Sequence, residues 1–263
     1  MADVRQKIFA ACSSGDITTL ETLFQELDIR SDHPQHPYGF ERNLAEEQYS
    51  PAVAQMLVAA ITGQQVEVII FLFAKFPNSS FYGSPMRAAI DTGNAKVLRA
   101  VCKFDPASAD AEIGDDEVIN ALGYACSKAN GAELVKVLLE AGADPNRVPP
   151  FRLPGSWNVS AAVLWGLPAS IFEQFFDAGY QGNDPYAVKM AVENKRLDVL
   201  QVLFARSRNI PEAEFPPEDA LIEAANKVND LDMVAAIKRA YAARSQQKKG
   251  LIATFISKFR SQG

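Results

Sequence analysis

Cysteine is scarce: the 263 residues hold three, Cys12, Cys102 and Cys126. So small and odd a number excludes a disulfide framework and points to a reducing compartment. Histidine is scarcer still, with His33 and His36 the only two. No further His or paired Cys completes a ligand set, so no metal is expected. Long apolar runs are also missing. The strongest, Val68 to Ala74, is much too short to cross a bilayer. The apolar stretch after Arg5 and Lys7, Ile8 to Cys12, is too short for a secretory leader. Positive charge does not predominate, because 26 Lys and Arg stand against 32 Asp and Glu, a formal charge of −6. A phosphate binder needs a basic face, so nucleic acid is not expected as a partner. Catalytic signatures are absent too: no Gly-x-Ser-x-Gly elbow, no phosphate-binding glycine loop and no His-Glu-x-x-His. Cys12 and Cys126 lie among small apolar residues and read as core positions rather than nucleophiles. The expectation is a cytoplasmic protein with no cofactor and no catalytic residues.

What is present is apolar and periodic. Hydrophobic residues make up 48% of the chain, too many for a disordered one and enough for a core without staples. A small-residue signature recurs with anchor alanines at 11, 59, 89, 125, 162, 191 and 224. The steps are 48, 30, 36, 37, 29 and 33, so all but the first cluster near 33 residues. After each anchor comes an apolar pattern at helical spacing: Leu20/Leu23/Phe24, Val68/Ile69/Phe71/Leu72, Val97/Leu98/Val101 and Leu134/Val135/Leu138/Leu139. It continues with Ile171/Phe172/Phe175/Phe176, Val199/Leu200/Val202/Leu203 and Met233/Val234/Ile237. Pairs three and four apart mark one face of a helix. The unit reads as a short helix rich in small residues, a tight turn, a second helix with large aliphatics, and a loop. One such pair cannot bury its apolar face, but a stack can, and alanine lets the first helices approach closely. Gly15, Gly63, Gly93 and Gly166 fit the turns, where positive φ is cheap for glycine. Gly142 and Gly179 fit the ends of second helices.

These residues resemble the ankyrin repeat. Leu134 to Asn146, Leu-Val-Lys-Val-Leu-Leu-Glu-Ala-Gly-Ala-Asp-Pro-Asn, is close to that family's second helix and loop. Ser84-Pro85-Met86-Arg87-Ala88-Ala89 and Asp184-Pro185-Tyr186-Ala187-Val188-Lys189-Met190-Ala191 look like degenerate forms of its Thr-Pro-Leu-His-x-Ala start. The consensus His is absent from every unit, and most loops have lost the Gly-Ala-Asp-Pro-Asn form. The resemblance implies an all-α ankyrin solenoid of about seven repeats over residues 1–242. Residues 243–263 then form a basic amphipathic tail or helical cap.

Three segments break the pattern. Residues 28–50 lengthen the first step and hold both histidines; they read as a solvated loop. Residues 146–158 contain three prolines and read as an extended finger, in which Phe151 and Trp157 either meet a partner or pack down on the next repeat. At the C-terminal end, the first 232 residues carry all 32 acidic residues but only 19 of the 26 basic ones. Leu251, Ile252, Phe255, Ile256 and Phe259 fall at helical spacing in this basic tail. Such a helix either caps the stack or docks on an anionic membrane.

In the family resembled, the exposed side of the first helices lines a concave face. Alignment on the anchors places Asp91, Tyr124, Leu164, Trp165, Met190 and Glu193 on that wall, with Lys128 and Lys189 nearby and Trp157 on the finger. Aromatics with a few charges suit a binding hot spot. The leading expectation is a non-enzymatic module that recognises a protein partner. The alternative is a groove that holds a small molecule and acts on it by acid–base chemistry through Asp91 and Glu193. A third reading is a membrane-surface adaptor that works through the tail.

Overall fold

The computed structural model describes residues 4–35, 50–81, 83–113, 119–149, 152–210 and 213–260, with side chains at all but 209 and 247–260. The described chain is all-helical apart from one pair of two-residue strands. It divides into two compact units, Met1–Arg152 and Leu153–Gly263. The first holds α1 (Val4–Ser14), α2 (Ile17–Glu26), α3 (Val53–Thr62), α4 (Val66–Lys75), α5 (Ser84–Asp91), α6 (Ala95–Phe104), α7 (Ala121–Cys126) and α8 (Gly131–Glu140). Between α6 and α7 lie β1 (Glu112–Ile113) and β2 (Ile119–Asn120), which pair antiparallel. The second unit holds α9 (Asn158–Leu164), α10 (Ala169–Asp177), α11 (Ala187–Glu193), α12 (Leu197–Arg206), α13 (Glu218–Lys227) and α14 (Leu231–Arg260).

These are seven helix pairs, each odd-numbered helix packed on the even-numbered one after it. In the first unit the leading helices form one row, α1 on α3, α3 on α5 and α5 on α7, while α4, α6 and α8 form a second. In the second unit α9, α11 and α13 form one row and α10, α12 and α14 the other. The buried faces follow the sequence pattern: Leu20, Leu23 and Phe24, then Val97, Leu98 and Val101, then Ile171, Phe172, Phe175 and Phe176 all lie in the core. Phe71, Val202 and Val234 depart from it and are only half-buried.

The turn inside six of the seven pairs has a repeated geometry. One residue takes the left-handed conformation: Gly15, Gln64, Gly93, Gly166, Lys195 or Asn229. In five of these turns the next N–H donates back to a buried alanine carbonyl. The bonds are Asp16 to Ala11 at 3.0 Å, Gln65 to Ala60 at 2.9 Å, Leu167 to Ala162 at 3.0 Å, Arg196 to Ala191 at 2.8 Å and Asp230 to Ala225 at 3.2 Å. This corrects two anchors, which are Ala60 and Ala225 rather than Ala59 and Ala224. Both positions of each Ala-Ala pair are small, so the sequence alone does not tell them apart.

Gly63 is a second correction. Its φ is −72°, and Gln64 beside it takes the left-handed position. Glycine is required there for space: a Cβ on Gly63 would lie 2.3 Å from the Ser13 carbonyl oxygen at the end of α1. Gly142 and Gly179 are left-handed after α8 and α10, as the sequence leads one to expect.

The irregular segments fall into place where they are described. His33 is half-buried; its Nε2 lies 3.0 Å from the Pro51 carbonyl and its ring packs on Phe76. His36 and the rest of the loop through residue 49 lie outside the described residues, as does Phe151. The boundary expected after residue 242 falls inside α14, which runs unbroken through it. The side chains of Leu251, Ile252, Phe255, Ile256 and Phe259 also lie outside the described residues.

Leu138 tests the stack because it is fully buried in α8. Leu138→Ala should destabilise by roughly 2–5 kcal/mol, the cost of truncating a core leucine. Chemical denaturation would show this as a lower midpoint with little change in slope.

Candidate functional site

Three of the expected wall residues meet in the first unit. Asp91 ends α5, while Tyr124 on α7 and Lys128 just beyond it come from the next pair. The Tyr124 hydroxyl donates to Asp91 Oδ1 at 2.8 Å, and Lys128 Nζ reaches the same oxygen at 2.6 Å. The Lys128 ammonium also sits 4.0 Å from the Tyr124 ring centroid. Arg87, one turn before Asp91, approaches the second carboxylate oxygen at 3.9 Å. Burial works to raise the Asp91 pKa, but the hydrogen bonds from Lys128 and Tyr124 outweigh it and hold the carboxyl below its usual range. Burial works to lower the Lys128 pKa, and its contact with Asp91 outweighs that and raises it. The cluster is a polar clasp between neighbouring pairs. Tyr124 has its hydroxyl engaged and a cation over its face, so it is not the bare apolar platform the sequence suggests.

The second unit carries the remaining positions. Leu164 ends α9 and Trp165 follows it as the cap residue, with helical bonding complete behind it. Both are exposed, at 50% and 55%. Their exposure follows from the turn: the chain reverses at Gly166, so Leu164 and Trp165 leave the helix just after the buried Ala162. In the next pair, Glu193 holds the position of Leu164 at the end of α11. It pairs with Lys189 one turn earlier at 3.5 Å. Met190, between them on the helix, is half-buried. Leu153 on the preceding finger is 57% exposed, and the finger reaches back to α9 at Gly155, where a Cβ would lie 3.0 Å from the Leu164 side chain.

Trp157 follows the second of the two readings of the finger, packing down rather than facing a partner. It is 6% exposed and sits at the N-terminal boundary of α9. It belongs to the core of the second unit, not to a contact surface.

Sequence reasoning missed two features. The first is Asp184, 2% exposed, whose carboxylate joins two leading helices. It accepts from the Ser160 N–H in the first turn of α9 at 2.6 Å, and from Tyr186 and Ala187 N–H at the start of α11 at 2.9 and 3.2 Å. Burial pushes its pKa up even so. The Asp-Pro pair signals a helix start, but the bond to Ser160 lies across the fold and has no local signal. The second is a groove of about 400 Å³ between α12 and α14, lined by Phe204, Phe215, Tyr241, alanines and arginines. Its alanines read in sequence as ordinary helix formers.

Among the described residues no group of three His, Cys, Asp or Glu is placed to hold a metal ion, and no helix is long and apolar enough to cross a membrane. Comparison with protein-family models and with curated proteins finds no match.

Two predictions follow from these environments. Asp91 has a depressed pKa, so its contribution to stability is present above the unfolded carboxylate value, about 3.9. That contribution is lost as pH falls through the folded value. Its side chain is 43% exposed, so the effect is small; Asp91→Asn should cost under about 1 kcal/mol at pH 7. Thermal melts should show the wild-type advantage at pH 7 and not at pH 2.5. The thiols are the second case. Cys12, Cys102 and Cys126 form no disulfide and are buried. Burial pushes all three up to about 12, with Asp105 adding to the effect at Cys102. Labelling with a thiolate-selective reagent at pH 8 should be slow in the native protein, because the thiolate is the reactive form. It should reach three equivalents in denaturant.

Proposed function

We propose that this chain is an ankyrin-repeat protein that binds a protein partner without catalysing a reaction on it, in a reducing compartment such as the cytoplasm. The family reading is supported by seven helix pairs, a spacing near 33 residues, the repeated turn bond to a buried alanine, and the near-consensus stretch Leu134 to Asn146. The observation that carries the binding reading is Trp165, a tryptophan more than half exposed on a well-packed helix end, beside an equally exposed Leu164. Large aromatics left wet beside other apolar groups mark partner sites, and tryptophan is the most enriched residue among binding hot spots. Lys189 and Glu193, on the helix packed beside α9, supply the polar rim such a site needs.

Acid–base catalysis is less well supported. Asp91 is ion-paired with its pKa held low, which makes it a weak base. Glu193 is exposed and paired with Lys189. Neither lies in an enclosed, water-shielded place.

Trp165→Ala separates the surface role from a core role. Exposed as it is, the substitution should change folding stability by no more than about 0.5 kcal/mol. Affinity for a partner identified by crosslinking in native extract should fall by roughly 2 kcal/mol or more. Both are to be measured on one preparation, by denaturation and by calorimetry. A large stability loss with unchanged affinity would place the functional surface elsewhere.

A further inference from the structure

We propose that the groove between α12 and α14 binds a small organic anion with an aliphatic or aromatic body and a single carboxylate-type head. This site is separate from the Trp165 surface and does not depend on it. Its walls are three aromatic rings from three elements. Phe204 of α12 lies 5.5 Å from Phe215 on the loop before α13 and 6.2 Å from Tyr241 of α14, centroid to centroid. The Tyr241 hydroxyl donates to the Pro216 carbonyl, so the ring is locked and its hydroxyl is satisfied away from a ligand.

The floor is kept open by small side chains. Ala236, Ala240 and Ala243 recur along the face of α14 that lines the groove, and Ala205 faces them from α12. Elsewhere in the even-numbered row the buried faces carry Leu, Val, Ile and Phe, and here alanine leaves the volume unfilled. That volume, about 400 Å³, falls within the usual range of small-molecule sites, roughly 300–1,000 Å³.

Charge selects the ligand's sign. Arg208, Arg239 and Arg244 line the groove and, among the described residues, no acidic side chain does, although the chain as a whole is acidic. Arg244 is held in place: Nη2 donates to the Ala213 carbonyl at 2.7 Å, and the guanidinium lies 4.1 Å from the Phe215 ring centroid. Its Nη1 is buried and has no acceptor among the described residues. A fixed guanidinium together with Arg208 and Arg239, next to an apolar trough, recognises a carboxylate joined to an apolar body.

From Ala236 to Ala243 the floor runs about 10 Å at 1.5 Å per residue, a length that suits a medium alkyl chain or a substituted aromatic ring.

The test is calorimetric titration of the full chain with decanoate, decanol and decyltrimethylammonium, which share one tail and differ in head group. Decanoate should bind one to one and roughly tenfold or more tighter than decanol, a difference of about 1.4 kcal/mol, with the cation weakest. Arg239→Glu should abolish the preference for decanoate. Ala205→Trp, which blocks the groove from its exposed wall, should weaken decanoate and decanol alike while leaving the melting temperature unchanged. Trp165→Ala should leave decanoate binding intact, which keeps this result distinct from that of the partner surface. Equal affinity for the three heads, several sites per chain, or undiminished binding to Ala205→Trp would each overturn the proposal. So would an acidic peptide that binds the groove where decanoate does not.

Discussion

The turn that closes each helix pair is the constraint on which the rest depends. In five of the seven pairs a left-handed residue reverses the chain, and the next N–H is returned to the carbonyl of an alanine one turn back in the helix. That carbonyl is buried, so the bond must be made. The alanine must also stay small, because the leading helix of the next pair packs against it. The approach of α1 and α3 shows how little room remains: at Gly63 even a methyl group would collide with the backbone of the preceding turn. With both ends of the turn satisfied this way, the second helix leaves at a set angle and its aliphatic face meets the same face of its neighbour.

Apolar burial holds the rows together without saying which pair lies beside which, and polar links between consecutive pairs add that register. Asn94 donates to Gln64 at 2.7 Å, Arg196 to the Leu167 carbonyl at 2.8 Å, and Arg206 bridges to Asp177 at 2.7 Å and to Glu173. Asp184 does the same from a buried position, where its carboxylate serves the N-termini of two leading helices at once. The exposed ion pairs contribute little energy each. Their effect lies in direction, since each joins equivalent positions in neighbouring pairs.

Exposed apolar groups and open volume arise where this scheme leaves side chains with nothing inside to pack against. Residues two and three beyond the anchor alanine always emerge at the turn. In most pairs they are small or polar, such as Ser13 and Ser14, or Glu193 and Asn194. In the fifth pair they are Leu164 and Trp165, and the same geometry that makes a serine harmless leaves a tryptophan half wet. The groove of the second unit has the opposite origin. There the second-helix row continues with alanine where large aliphatics would be expected, and the missing volume becomes a trough walled by rings and guanidinium groups.

The helical class, the number of pairs and most of the buried faces were legible in the sequence. Each rests on local spacing: three-and-four periodicity marks a face, and a recurring small residue marks a close approach. The exposure of Trp165 was legible for the same reason, since its offset from the anchor places it at the turn. Long-range contact decided the rest. Ala60 and Ala225 became the anchors over their equally small neighbours because of where one hydrogen bond closes. Trp157 entered the core, Tyr124 was taken up by Asp91 and Lys128, and Asp184 found Ser160, each through partners more than twenty residues away or through the fold around it. The two-residue strands escaped notice because so short a run has no period. The groove was invisible because an alanine in sequence shows only that a helix can form, while the space it leaves depends on what the neighbouring helix puts opposite.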